Sequence, residues 1–302
     1  MNRREFLVQS TMAAIAASRV RAQAPDAAKL ARVAIMTYSF DRIIKVEGRP
    51  ADPARTLDLF DTPEMYADRY KVHNVEAQHN HFASTESSYL REFRARLAKT
   101  KSQLTNINLE FGNMSITAAD PVMRAQAIDL TKQWIDHAVE LGCPRVMVNQ
   151  GSPTTENKDV GIAALKIMGD YGKSKKVMVA MENRGSGVPR GGGDVAAGPV
   201  LPPQPPAWSL LADIIKGSGT YANCDLGNFP DQETQHAGIR GLFPMTDGNC
   251  HVKLNPARYD LPAALALVKS LNYQGLYSIE AGGQGDPHEN VQRIYDVLLP
   301  NM

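Results

Sequence analysis

The sequence predicts a single (β/α)8 barrel, on three observations. Short β-type runs alternate with helical segments about eight times, and no long linker interrupts them. Four consecutive runs in the second half each carry one metal-type side chain near the C-terminal end. These are Glu182 in KVMVAMENRG, Asp225 in YANCDLGN, His251 in GNCHVKL and Glu280 in LYSIEAGG. The intervals between them are 43, 26 and 29 residues, and a βα unit of this fold takes roughly 30. The long first interval holds a Gly/Pro-rich loop, Ser186 to Pro206, which accounts for the excess. An open doubly wound sheet is the rival architecture, but no glycine-rich phosphate fingerprint follows the first strand.

Taken in order, residues 1–24 read as a twin-arginine signal peptide. Arg3 and Arg4 precede a modest apolar stretch, and Ala22-Gln23-Ala24 offers a small-x-small cleavage site. The stretch is too short and too weak to span a bilayer. These features imply the twin-arginine export machinery as a partner, a periplasmic or otherwise exported location, and no stable membrane insertion. The barrel then occupies residues 25–302. Removing the leader takes away four arginines and one glutamate, so the formal charge goes from +1 to −2. That is no footprint for nucleic acid.

Ala31 to Phe40 reads as the first strand, followed by an excursion and a helix around Thr62 to Tyr70. Asn74 to Phe82 is the second strand, Ser87 to Ser102 a charged amphipathic helix, and Thr105 to Phe111 the third strand. The helix from Pro121 to Leu141 has proline in its first turn and Gly142 at its end. Arg145 to Gly151 is the fourth strand, and Val160 to Gly172 its helix. The Glu182, Asp225, His251 and Glu280 runs are strands five to eight, with helices at Ala207 to Lys216, Asp231 to Leu242, Leu261 to Ser270 and Pro287 to Leu299. The 186–206 loop lacks the G-K-[ST] ending of a phosphate-binding loop, and a lid and a passive insertion are equally compatible with it. Cys143, Cys224 and Cys250 have no metal-type spacing and read as buried thiols.

Strand alternation sorts the polar residues. Tyr221, Asn223 and Asp225 share one face, as do Asn249, His251 and Lys253, and as do Ser278 and Glu280, with mainly apolar residues opposite. Three carboxylates and an imidazole converging on one barrel mouth would repel without a cation. Their hardness suits Mn2+ first, with Mg2+, Co2+ or Zn2+ as alternatives. Glu76 reads as an interior carboxylate with structural partners. His79, His81, Asn149 and Gln150, at the ends of strands two and four, are candidates to line a pocket and bind hydroxyl groups.

The motifs MENRG, CDLGN, HVKL and IEAGG resemble the xylose isomerase-like TIM-barrel superfamily, the sugar isomerase/epimerase group. The likeness spans essentially all of residues 25–302, with its specific motifs in the second half. It implies one divalent metal ion held by Glu182, Asp225, His251 and Glu280, with Glu182 and Glu280 also the catalytic acid/base pair. It implies substrate contacts at Asn228, three residues after the aspartate, and at Arg258 beyond the histidine. Asn228 stands where ketohexose epimerases carry histidine. Lys253 is a further substrate-binding candidate, as a positive charge near a developing oxyanion or as a partner of Asp225 or Glu280.

The resulting expectation is a metal-dependent sugar isomerase or epimerase. It would abstract a proton next to a carbonyl through a metal-stabilised enediolate. Two alternatives stand beside it: a lyase or hydratase on 3-keto-glycosides with the same metal and base, and a non-catalytic sugar-binding barrel. A small sugar or glycoside is the expected partner, and homo-oligomerisation is left open. An apurinic endonuclease of similar fold would need more histidine ligands and a basic surface, and the sequence has neither.

Overall fold

Eight parallel strands form one sheet in the order β6-β5-β4-β3-β2-β1-β8-β7. In this computed structural model the described residues are 26–49, 52–112, 114–148, 151, 153–184 and 206–302. Residues 1–24, read from the sequence as a leader, the stretch from 186 to 205, Asn149 and Gln150 lie outside them. The strands are β1 Val33–Met36, β2 Asn74–Gln78, β3 Gln103–Leu109, β4 Arg145–Val148, β5 Met178–Glu182, β6 Tyr221–Asn223, β7 Asn249–Val252 and β8 Leu276–Ile279. The seam between β6 and β7 is closed by two isolated bridges, Ala222 with Thr246 and Asp225 with His251. The result is a nearly closed (β/α)8 barrel, as the alternation predicts.

The barrel helices are α1 Thr62–Tyr70, α2 Ser87–Lys99, α3 Pro121–Leu141, α4 Lys158–Lys175, α5 Ala207–Ser218, α6 Gln232–Leu242, α7 Leu261–Ser270 and α8 Pro287–Asn301. Their ends follow local chemistry. Asp120, Asp231, Asp260 and Asp286 cap α3, α6, α7 and α8 by accepting a backbone N–H of the first turn. Proline occupies the first turn of α1, α3, α7 and α8, where its missing N–H costs nothing. Gly142 closes α3 in the left-handed conformation at φ 72°.

The main core lies between sheet and helices. Val75, Ile107, Val146 and Ile279 on the strands pack in one cluster with Phe93, Ile135, Leu165, Ile214, Ile239, Leu265 and Ile294 on the helices. Cys143, Cys224 and Cys250 belong to the same cluster, all buried and free. The alternate strand residues fill the barrel interior, and many are polar. Asn74, Glu76, Asn106, Asn223, Asn249 and Ser278 are all buried.

Two strands are shorter than their patterns suggest. β1 stops at Met36 and β2 at Gln78, and each runs on into a 3-10 turn, Thr37–Phe40 and His79–His81. Those turns roof the core rather than extend the ladder. No helix among the described residues is long and apolar enough to cross a membrane.

Candidate metal centre

Glu182 is the last residue of β5, and Glu280 follows the end of β8. Asp225 lies two residues past β6, and His251 lies within β7, where their bridge closes the barrel seam. Parallel strands aim their C-terminal ends at one mouth, so four neighbouring strand ends converge there. Each of these four residues offers one ligand atom, and all four atoms lie within 4.8 Å of one another. The residues are all buried, Asp225 and His251 completely.

Several local features hold the quartet. Asn183 accepts the Asp225 N–H at 2.7 Å and donates to the Asp225 carbonyl at 3.0 Å, tying the β5 end to the β6 end. Gly227 N–H donates to Asp225 Oδ1 at 2.6 Å. His251 Nδ1 lies 2.9 Å from Glu182 Oε1 and 2.9 Å from Glu280 Oε2. Lys253 Nζ lies 2.6 Å from Asp225 Oδ2 and 3.0 Å from Glu280 Oε1, and donates to Asn228 Oδ1 at 3.1 Å.

The electrostatics follow from burial against charge. Burial pushes the Asp225 carboxyl up, and Glu280 and Glu182 add to that against the pull of Lys253. Glu280 goes the other way: Lys253 and His251 overcome its burial and hold it below the ordinary carboxylate range. Burial works against the His251 imidazolium, but the carboxylates of Glu76, Glu182 and Glu280 outweigh it and raise its pKa. Counting Glu76, four buried carboxylates face only two cationic side chains, Lys253 and His251. Such an excess is costly in a low-dielectric interior without a further cation. Three hard oxygen donors and one imidazole fit a divalent ion of the Mn2+, Mg2+, Co2+ or Zn2+ class.

A cavity of about 550 Å3 opens beside Lys253 and Glu280, bounded by Tyr38, Asn255, Tyr259 and Arg293. That size falls within the roughly 300–1,000 Å3 of ordinary ligand pockets. Tyr38, Asn255 and Tyr259 are absent from the sequence-based candidates. Tyr38 sits in an apparent strand that ends early, and the other two sit in a loop with no motif.

The remaining predicted residues fall in different places. Lys253 lines the cavity, and its ion pairs are those of a carboxylate partner. Asn228 is a strut: Nδ2 donates to the Asn183 carbonyl at 3.0 Å while Oδ1 accepts from Lys253. Arg258 is exposed and does not line that cavity; it lines an outer cleft that adjoins the cavity through Leu254, Pro256 and Tyr259. His81 is 1% exposed with both ring nitrogens engaged, Nδ1 by Thr37 Oγ1 at 2.8 Å and Nε2 by Asp41 Oδ1 at 3.1 Å. It builds the wall and is not available to substrate. His79 packs edge-on against Phe111 and Trp134, and its Nδ1 accepts the Glu110 N–H at 3.2 Å. Burial lowers its pKa to about 4, so it is a neutral packing ring. Both histidines sit in the 3-10 turn that replaces the end of the predicted second strand, which removes the alternation on which their placement rested.

A family model described as xylose isomerase-like TIM barrel matches residues 60–192. That match covers under half of the chain, and the fold shared with the similar structures is the (β/α)8 barrel. The structure is similar to a xylose isomerase domain protein from Planctomyces limnophilus, with a TM-score of 0.61 at 16% identity over 89% of this chain and 96% of that one. It is similar to an L-ribulose 3-epimerase, with a TM-score of 0.65 at 13% identity over 90% and 94%. It is also similar to D-psicose 3-epimerase from Clostridium cellulolyticum H10, solved with D-tagatose, with a TM-score of 0.62 at 11% identity over 89% and 95%. No curated protein sequence matches the chain.

Proposed function

We propose that the protein is a divalent-metal-dependent sugar isomerase or epimerase. The observation that carries this reading is the buried quartet of Glu182, Asp225, His251 and Glu280, with Lys253 against it and a ligand-sized cavity alongside. The sugar 3-epimerases among the similar structures support the substrate class. The four quartet residues would hold the ion, with Mn2+ the first choice. When bound, the ion would polarise a sugar carbonyl and stabilise negative charge on its oxygen.

The side chains supply the proton chemistry. Glu182 and Glu280 come from strands separated by β6 and β7, so they approach a sugar held at the mouth from different directions. One carboxylate removes the proton from the carbon beside the carbonyl, and the other returns a proton. Lys253 places a fixed ammonium at the cavity floor, where charge develops on the reacting oxygen. Asn228 and Asp225 hold that ammonium in position.

Metal-loaded protein incubated in D2O with a panel of ketoses, aldoses and 3-keto-glycosides tests the proposal. Deuterium incorporation beside the carbonyl, followed by NMR, is expected with a free sugar, and Glu182→Gln and Glu280→Gln should each abolish it. Release of an aglycone from a 3-keto-glycoside would move the assignment to a lyase. A protein that binds the metal and a sugar without exchange would be a binding barrel.

A further inference from the structure

Glu76 belongs to none of the four strands that supply the quartet, yet it touches the quartet's histidine. It lies in the middle of β2, completely buried. Its Oε1 is 2.8 Å from His251 Nε2, on the opposite edge of the ring from Glu182 and Glu280. The carboxylate is fixed on both sides. Oε1 also accepts from Asn106 Nδ2 at 3.0 Å, and Oε2 accepts from Asn249 Nδ2 at 3.0 Å. Asn249 Nδ2 is shared with Asn223 Oδ1 at 3.0 Å.

The backbone contributes to this arrangement. The β2–β3 register shifts between Val75 and Glu76, pairing Val75 with Leu104 but Glu76 with Asn106. Thr105 is the extra residue, and the irregularity brings the Asn106 amide opposite the carboxylate. Asparagine amides from two sides and an imidazole from a third leave Glu76 no route to the mouth. A carboxylate so placed acts on the site through His251.

An ionised carboxylate only accepts hydrogen bonds, so the ring nitrogen facing it carries the proton. Nδ1, the other ring nitrogen, lies 2.9 Å from both Glu182 and Glu280, whose carboxylates hold a proton on it in the metal-free chain; the ion would displace that proton and take the Nδ1 lone pair. We propose that Glu76 is a positioning residue that locks His251 in its Nε2–H tautomer, makes Nδ1 the metal-ligating atom and strengthens it as a donor. This rests on the metal-centre reading above. A ligating histidine braced by a carboxylate is a general device, and loss of the brace typically costs 10–100-fold in metal affinity.

The test compares the metal-stripped full chain with its Glu76→Gln variant. Mn2+ affinity is measured by calorimetry, and long-range 1H–15N spectra of the Zn2+-loaded wild type report which His251 nitrogen carries the proton. The expected results are a proton on Nε2, metal on Nδ1, and at least about ten-fold weaker Mn2+ binding in the variant. A Glu76 that is merely structural would lower the melting temperature and leave the Mn2+ affinity within two-fold, which would overturn the proposal. Metal on Nε2 of the wild type would overturn it as well, and that result stands even if the variant fails to fold. A wild type that binds neither ion would instead remove the metal-centre reading itself, and the positioning role with it.

Discussion

At the scale of single residues, Lys253 has the sharpest consequence. Its ammonium lies 2.6 Å from Asp225 and 3.0 Å from Glu280, both buried. Lys253→Met leaves those carboxylates facing each other with one cation fewer. Removing one partner of a buried pair costs about 3 kcal/mol or more. The metal-free variant is therefore expected to melt well below the wild type, and Mn2+ to recover much of the difference, as calorimetry with and without the ion would show. Asp41 sets a pH dependence. The hydrogen bond from His81, with help from Arg49 and against partial burial, holds its carboxyl at about 2. A folded-state pKa below the unfolded value gives stability that is complete above about pH 4 and lost as the pH falls towards 2. Asp41→Asn should thus narrow its stability gap to wild type in urea melts as the pH goes from 4.5 to 2.5. An unchanging gap would disprove this assignment.

At the scale of elements, the turn after β6 decides the site's shape. Gly227 packs so closely that a Cβ there would meet Lys253 Cβ at 2.5 Å, its Cδ at 2.7 Å and Tyr259 Oη at 2.8 Å. The first of these atoms sits next to the β7 backbone and cannot swing away. Gly227→Ala is expected to displace Lys253 and Tyr259 together, with a loss of proton exchange of about 100-fold while the far-ultraviolet spectrum stays native. The helices were legible at this scale because caps, prolines and period are local. α3 and α7 run over Pro121–Leu141 and Leu261–Ser270, as their punctuation predicts. The ends of β1 and β2 were not legible. Thr37–Phe40 and His79–His81 keep β-type composition, and only the roof they form over the core curls them into 3-10 turns. For the same reason His79 and His81 looked like pocket residues.

At the scale of the whole molecule, the leader read from residues 1–24 yields a prediction separate from the barrel. If it directs twin-arginine export, replacing Arg3 and Arg4 with lysine should leave the full-length precursor in the cytoplasm of a bacterial host, as fractionation and blotting would reveal. Export unchanged by that double substitution would reject the twin-arginine route. The sequence by itself determined the barrel class, the order of its units and the four quartet residues. Those depend on period, turn chemistry and spacing, which are properties of neighbours along the chain. The tertiary structure alone decided that Glu76 braces His251 from 175 residues away. It likewise decided that Lys253 is paired with two carboxylates, that Arg258 is exposed and does not line the cavity beside them, and that Tyr38 and Tyr259 do. Each of these depends on which strands closure of the barrel brings face to face. Side chains meeting across an enclosed interior leave no periodic trace in the chain that carries them.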